Sequence, residues 1–206
     1  MTRFFLIRHG QTAWNRDVRF RGRADLPLDE TGLKQAAAAA DALKARVLEL
    51  AAIYASPLQR TMQTAGAIAG RFQLPVIPSD GLLDVDFGGW QGLSNEEAAK
   101  RYAEIYNTWL ERPQDVQFPN GESLEELRQR VIAAVEKLAV EHEGQTVVLV
   151  SHMVVCKVLL CAMLGLDNSH YWQVGQDVCA INSFEISDGA STVSLINDTC
   201  HLKSLR

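Results

Sequence analysis

The chain has 206 residues, of which 47% are hydrophobic, and a formal net charge of −5. This length suits one sizeable α/β domain, and a mildly acidic chain without long basic runs is a poor candidate for binding nucleic acid or an anionic membrane. The apolar run 4–7 is followed at once by Arg8 and His9, so it is too short for a signal peptide or a membrane span. We therefore expect a cytoplasmic protein.

The cysteines follow no metal-binding pattern. They form no C-x-x-C pair and occupy positions Cys156, Cys161, Cys179 and Cys200. Cys156 and Cys161 lie in an apolar helical stretch and are interpreted as buried thiols. We expect no disulfide, no metal site and no cofactor.

The first third of the chain alternates strands and helices. The short apolar run 4–8 predicts a buried strand, and Asp29 caps a predicted helix that runs through an alanine block to about residue 48. Residues 51–56 form a second predicted strand. Ser56, followed directly by proline, predicts the start of a helix that ends near Phe72.

The middle of the chain is less regular. A short strand is predicted at 75–78, and 82–92 is interpreted as an extended segment that ends in glycine turns. A capping box of Ser94 and Glu97 opens a helix to about residue 110, and prolines and glycine mark 111–122 as a loop.

The last third ends in a hairpin. A second capping box, at Ser123 and Glu126, opens a long helix that stops at Gly144. The strongly apolar strand 146–151 favours a parallel sheet covered on both faces. The remaining predicted elements are a helix over 153–164 and two strands, 178–186 and 191–197, joined at Asp188-Gly189.

This order of elements predicts the fold class. Strands separated by helices indicate an α/β fold with three α/β/α layers and a mostly parallel central sheet. We find no repeat or linker in the sequence and expect one domain over residues 1–206. The segment at about 88–123 is interpreted as a small helical cap insertion.

Three predicted strands end in residues that could do chemistry. The first ends at Arg8-His9, the strand 146–151 is followed by His152, and the strand 51–56 leads into a helix that carries Arg60. Ligands of open α/β sheets bind outside the carboxyl ends of the strands, so we expect these four side chains to share a pocket.

The residue types in this pocket favour phosphate chemistry. Arginine forks match phosphate oxygens, helix N-termini add N–H donors, and a neutral imidazole is a good nucleophile toward phosphorus. The arginines and the second histidine can neutralise the phosphoryl group without a metal. The leaving alcohol needs an acid, and "LLDVDFGG" offers Asp84 and Asp86.

Several motifs in order resemble one family over nearly the whole chain. "LIRHGQTAWN" resembles the signature of the histidine phosphatase superfamily, in its phosphoglycerate-mutase-like branch. The stretches "FRGRADLPLDETGLKQA", "IYASPLQRTMQTA", "LLDVDFGGWQGLS", "FPNGESLEEL", "VVLVSHMVV" and "NDTCHL" are similar to further segments of that family.

The resemblance implies a role for each site residue. His9 is the nucleophile that forms a phosphohistidine, and Arg8, Arg60 and His152 hold the phosphoryl group. Asn15 binds this group or orients His9. Gly10 is expected to let the backbone turn closely beneath the phosphate.

The acid and the substrate-binding residues are less direct matches. Asp84 stands where the family usually has glutamate as general acid, and motif register favours it over Asp86. Arg21 occupies a position where the family often has a polar residue near the substrate, and an arginine there favours a second anionic group. Gly22 could offer a backbone N–H. Trp109 and Tyr106 could wall the cleft, although Trp90, Trp109, Trp172 and Tyr106 all fit packing roles.

The resemblance leaves three functions open. The first is a metal-independent phosphomonoesterase acting on small phosphate esters, with carboxylated esters such as phosphoserine and phosphoglycerates ahead of sugar or nucleoside phosphates. The second is a 2,3-bisphosphoglycerate-dependent phosphoglycerate mutase, disfavoured by the short cap and by an acid segment unlike that of the mutases. The third is a phosphoprotein-binding module that has lost catalysis, although the catalytic set is present. The expected partner is a small-molecule phosphate ester, and a homodimer stays open.

Overall fold

The structure is a computed structural model that describes residues 1–205, and these residues contain one six-stranded sheet. Its strands are β1 (Thr2–Arg8), β2 (Ala52–Ala55), β3 (Val76–Pro78), β4 (Thr146–Ser151), β5 (Ile181–Ser187) and β6 (Ala190–Asp198). They lie in the order β3-β2-β4-β1-β5-β6. The first four are parallel, and β5 and β6 are antiparallel to their neighbours. The parallel register sets Arg8 opposite Ser151, so β1 and β4 end at the same edge.

Helices cover both faces of this sheet. The α-helices among residues 1–205 are α1 (Ala13–Arg16), α2 (Glu30–Arg46), α3 (Gln59–Phe72), α4 (Asn95–Arg101), α5 (Ala103–Glu111), α6 (Leu124–Glu141) and α7 (Met153–Met163). Along β1, Phe5 and Ile7 pack with residues of α2 and α3, whereas Phe4 and Leu6 pack with residues of α6 and α7. Burial on both faces explains why residues 4–7 of β1 are all apolar. None of the helices among residues 1–205 has the length and apolar character needed to cross a membrane.

Several local predictions are confirmed. Asp29 accepts a hydrogen bond from the Gly32 N–H and caps α2, and both predicted capping boxes form, at α4 and α6. Asp188 and Gly189 have φ angles of 51° and 78°, as a tight two-residue hairpin turn requires. All four cysteines are free, and Cys156 and Cys161 are buried.

Two local predictions are wrong, and a third is confirmed in part. Ser56 does not cap α3, which begins at Gln59 after Leu58, because the Ser56 hydroxyl is instead 2.8 Å from Nε2 of His152. The predicted helix 94–110 is two helices, because Tyr102 leaves helical geometry at φ −134°, ψ 47°. The segment 82–92 ends in a glycine turn as predicted, the 3₁₀ turn Gly88–Trp90, but its first residue belongs to another 3₁₀ turn, Asp80–Leu82, and is not extended.

Candidate active site

His9 follows the end of β1 and is completely buried. Its backbone N–H donates to the carbonyl of Ser151 at 2.9 Å. Its Nδ1 lies 2.6 Å from the carbonyl oxygen of Gly10, and because a carbonyl can only accept, Nδ1 carries the proton. The lone pair is therefore on Nε2, which has no hydrogen-bond partner among residues 1–205. Burial, and then the charge of Arg60, hold the pKa of His9 well below its usual value. His9 is thus a neutral imidazole with a free nucleophilic nitrogen.

Arg60 lies in the first turn of α3 and is also completely buried. Its Nη1 donates to the carbonyl of Ala24 at 2.6 Å and its Nη2 to that of Gly22 at 2.7 Å. Its Nε donates to Nδ1 of His152 at 3.1 Å, so the His152 proton is on Nε2 and is donated to Ser56. These contacts fix the guanidinium plane within the loop that precedes α2.

His152 is the second histidine of the pair. Its ring centroid is 5.3 Å from that of His9. Burial, and then the nearby Arg60, keep the pKa of His152 well below its usual value, so it is a neutral N–H donor. The predicted convergence of the two histidines is found in the structure.

Asp84 is the acidic residue of the catalytic centre, the cluster that it forms with His9, Arg60 and His152. It is buried, its Oδ1 accepts from the backbone N–H of Val85 at 3.0 Å, and its Oδ2 is 3.3 Å from Nη2 of Arg60 and 3.6 Å from Nδ1 of His152. Burial raises the pKa of Asp84, and Arg60 opposes this only in part. A carboxyl with a raised pKa can hold a proton for a leaving group.

Asp86 lies in a different environment. Its Oδ1 accepts from the N–H of Gly88 at 2.9 Å, and its Oδ2 pairs with Arg23 at 3.5 Å, where both side chains are about one-third exposed. The segment that carries the two aspartates is not a strand, so their spacing of two residues does not direct both side chains to the same side of the backbone. Of the two, only Asp84 contacts Arg60 and His152.

Arg8 and Arg21 bring further positive charge to the site. Arg8 is buried and its Nη1 donates to the carbonyl of Gln176 at 2.6 Å. In the described part of the chain, the buried Nε atoms of Arg8 and Arg21 have no hydrogen-bond partner. Burial, and then the charge of Arg8, lower the pKa of Arg21 to about 10. Buried donors without protein partners are expected to bind an anion.

Asn15 and Gly22 differ in part from their predicted roles. Oδ1 of Asn15 accepts from the N–H and the hydroxyl of Thr12, both at 2.9 Å, and so caps α1. Asn15 also lines the cleft, but the structure gives it no hydrogen bond to His9. Gly22, at φ +49°, contributes its carbonyl oxygen to Arg60.

The structure gives a reason for glycine at position 10 that is separate from the predicted turn beneath a phosphate, which stays a prediction. A Cβ at Gly10 would lie 2.6 Å from the carbonyl oxygen of Gly32, and one at Gly32 would lie 2.1 Å from that of Gln11. The first turn of α2 thus approaches the loop after His9 too closely for side chains.

A cleft of about 300 Å³ opens beside the centre. Its polar lining includes Arg8, Asn15, Arg19, Arg21, Asp84 and Asn95, and its apolar lining Val18, Phe20, Phe87, Trp109, Met153, Val154, Tyr171 and Trp172. Trp109 lines the cleft, as the sequence suggested, whereas Tyr106 packs against Trp90 with ring centroids 5.8 Å apart. Tyr171 and Trp172 were missed as cleft residues, since only the aromatic pair "YW" marks them in the sequence.

The family model of the histidine phosphatase superfamily (branch 1) matches residues 4–199. The chain belongs to this superfamily. It is 38% identical to phosphoserine phosphatase 1 of Hydrogenobacter thermophilus over 202 residues, 98% of this chain and 95% of that relative. It is 36% identical to a metal-independent phosphoserine phosphatase of Arabidopsis thaliana over 154 residues, 74% of this chain and 64% of that relative.

A solved structure of a phosphatase has the same fold. The phosphoserine phosphatase of Entamoeba histolytica, an H9A mutant in complex with phosphoserine, aligns with a TM-score of 0.88 and 28% identity, covering 98% of this chain and 100% of that one. The predicted α/β fold of the phosphoglycerate-mutase type is therefore confirmed. The predicted enzyme class is confirmed with it, and the chain is a phosphoric monoester hydrolase of the histidine phosphatase superfamily.

Proposed function

We propose that the chain hydrolyses small carboxylated phosphate monoesters, with phosphoserine as the model substrate, without a metal and through a phosphohistidine on His9. The observation that carries this proposal is the free Nε2 of a neutral, buried His9 beside Arg8, Arg60 and the buried carboxyl of Asp84. Nucleophile, cationic cradle and acid are thus assembled from the chain's own side chains.

In the first step of the proposed reaction, Arg8 and Arg60 donate to the phosphoryl oxygens. The Nε2–H of His152 exchanges its Ser56 partner for a third phosphoryl contact. Nε2 of His9 attacks phosphorus, the bond from phosphorus to the ester oxygen breaks, and the leaving oxygen takes the proton of Asp84. The two arginines neutralise charge on the equatorial oxygens while the phosphoryl group is transferred from the ester oxygen to Nε2 of His9.

In the second step, water replaces the alcohol. The Asp84 carboxylate takes a proton from this water, the water oxygen bonds to phosphorus, and the bond between phosphorus and Nε2 breaks. Inorganic phosphate leaves, and His9 and Asp84 return to their starting protonation states.

The carboxylated substrate class rests on Arg21. The Arg21 guanidinium lines the cleft, and its Nε has no hydrogen-bond partner within residues 1–205. It is therefore available to a ligand. A guanidinium in this position fits a carboxylate on the substrate. The relatives named phosphoserine phosphatases and the neighbour that holds phosphoserine support the same class.

The test is a product assay on the purified protein with a chelator present. Phosphoserine and 3-phosphoglycerate are offered, the latter with and without 2,3-bisphosphoglycerate, and both free phosphate and 2-phosphoglycerate are measured. We expect free phosphate in every case. Isomerisation that depends on the bisphosphate would instead make the chain a mutase, and the absence of both products would favour a binding role.

A matched variant tests the role of Arg21. Arg21→Ala is expected to lower kcat/KM for phosphoserine by about 10- to 100-fold, as for a lost hydrogen bond between charged groups, and to affect p-nitrophenyl phosphate much less. Equal losses on the two esters would contradict a carboxylate contact.

A further inference from the structure

One wall of the cleft carries a buried hydroxyl group without a protein partner. Tyr171, in the 3₁₀ segment Asn168–Gln173, is completely buried and lines the cleft. Within residues 1–205 its hydroxyl makes no hydrogen bond. Buried tyrosine hydroxyls are normally paired, because an unpaired one has lost its water without compensation. The missing partner is therefore expected to come from a ligand.

Tightly packed neighbours fix the position of this ring. Its centroid is 5.0 Å from that of Trp109 and 4.8 Å from that of Trp172, and Nε1 of Trp172 donates to the carbonyl of Trp109 at 2.9 Å. Nζ of Lys157 lies 4.6 Å from the centroid of the Tyr171 ring. A hydroxyl held this firmly binds a ligand with little further loss of conformational entropy.

Tyr171 lines the same cleft as Arg8, Arg21 and Asp84. Burial raises the pKa of Tyr171, and the ionisable groups that also act on this pKa are, in order, Asp84, Arg8, Cys161 and Arg21. The pKa values of Arg8 and Arg21 respond in turn to Tyr171. The phenol thus stays protonated and is a hydrogen-bond donor in the cleft that Arg21 also lines.

The group that fits these donors is an anion distinct from the phosphoryl group. The proposed reaction places the phosphoryl oxygens against Arg8, Arg60 and His152, next to Nε2 of His9. A hydroxyl donor and the Nε of Arg21 remain beside that position, both without a protein acceptor. A carboxylate has two oxygens and accepts from two donors at once.

We propose that Tyr171 is a specificity-determining residue whose hydroxyl, together with Arg21, binds the carboxylate of the substrate. The aromatic wall of Trp109 and Trp172 and the ammonium of Lys157 hold the phenol in place for this contact. This subsite rests on the proposed function, because it requires a carboxylated ester.

The test compares two esters that differ only in the carboxylate, phosphoserine and phosphoethanolamine. The Tyr171→Phe variant removes one oxygen atom and keeps the ring packing. The control is Tyr54→Phe, which removes a hydroxyl bonded to Nε2 of His142 at 3.0 Å, in a residue that does not line the cleft. Steady-state rates are measured with a chelator present, and melting temperatures verify that both variants are folded.

We expect Tyr171→Phe to lower kcat/KM for phosphoserine by about 10- to 100-fold, mainly through KM, as for a lost hydrogen bond to a charged group. Phosphoethanolamine should change less than about twofold, as should both esters with Tyr54→Phe. An unchanged phosphoserine rate, or equal losses on both esters, would overturn the subsite. A wild type that does not distinguish the two esters would refute the proposed carboxylate preference itself, and the subsite with it.

Discussion

Burial shifts the pKa values of the acidic and the basic side chains at the catalytic centre in opposite directions. It lowers the pKa of His9 and His152 and raises that of Asp84, because in each case the charged form loses its hydration. The result is a neutral base and, in the same pocket, an acid that keeps its proton to a higher pH than an exposed aspartate does, the pair that phosphoryl transfer to a histidine needs. At this scale the environment of each residue, more than its type, assigns its role.

The raised pKa of Asp84 leads to a pH prediction. The acid is protonated below its pKa, so kcat for an alkyl ester should fall as the pH rises through that raised value. The pKa of His9 is held well below its usual value of 6.5, so the nucleophile stays neutral even in mildly acidic solution. In Asp84→Asn the fall at higher pH should disappear, which a pH profile of kcat measures.

The same variant should separate leaving groups. Asp84→Asn is expected to slow the hydrolysis of phosphoserine by about 100-fold or more. Hydrolysis of p-nitrophenyl phosphate should slow far less, because an aryl oxide leaves without a proton. Equal losses on the alkyl and the aryl ester would show that Asp84 is not the leaving-group acid.

Motif register predicted which residues meet at the centre. Arg8, His9, Arg60 and His152 follow strand ends in the sequence and Asp84 was assigned by motif register, and the structure brings these residues together. Their catalytic roles stay predictions. Tyr171 could not be predicted in this way, since it approaches Arg8 and Asp84 only through the packing of its 3₁₀ segment against α5.

Among the elements, α6 holds the loop that carries Asp84. Nη1 of Arg130 donates to the carbonyls of Asp80, Gly81 and Leu83 at 3.3, 3.1 and 3.0 Å. The same guanidinium binds Glu122 through two bonds of 3.1 and 3.0 Å. Arg130 is thus a positioning residue for the acid, because it fixes the backbone immediately before Asp84.

Replacing Arg130 should leave the backbone immediately before Asp84 less firmly held. Arg130→Gln is expected to lower the free energy of unfolding by about 1–3 kcal/mol, through unpaired carbonyls. It should also lower kcat for alkyl esters by about 10- to 100-fold, through displacement of the acid, with KM nearly unchanged. The control is Arg128→Gln on the same helix, whose Nη1 donates to the carbonyl of Leu166 at 2.9 Å. A loss of stability without a selective loss of kcat would leave Arg130 with a purely structural role.

Periodicity and capping signals predicted most elements, and tertiary contacts explain the exceptions. The Ser56–Pro57 pair is a good helix start by local rules, but His152 binds the Ser56 hydroxyl and the helix begins three residues later. The break at Tyr102 has no local signal either. There the ring packs against Trp90, with centroids 6.2 Å apart, and a Cβ on Gly89 would lie 2.7 Å from its hydroxyl.

In the whole molecule, the cap and the sheet share one hydrophobic core. Trp90, Trp109 and Phe118, from the segment 88–123, belong to the same buried cluster as Phe4 and Leu6 of β1. We propose on this basis that residues 1–206 form a single domain in which 88–123 is a cap. The cap should then not unfold independently of the sheet.

The distribution of tryptophans makes this testable. Trp90 and Trp109 lie in the cap segment, and Trp14 and Trp172 lie near it, on the short helix α1 and in the cleft wall. Fluorescence therefore reports mainly on the cap side, whereas far-ultraviolet circular dichroism reports on all elements. Urea unfolding followed by both signals should give coincident midpoints. A fluorescence transition at lower urea would indicate a cap that unfolds separately.

The proposed mechanism depends above all on a covalent bond between phosphorus and His9. The direct measurement is to quench the enzyme during turnover of radiolabelled phosphoserine in alkaline denaturant, with a chelator present, and to map the label by peptide analysis. We predict protein-bound phosphate on the peptide that contains His9, stable in alkali, released by acid and absent from His9→Ala, which should also have lost turnover. Phosphate release without any labelled protein, or label on another residue that persists in His9→Ala, would contradict the account.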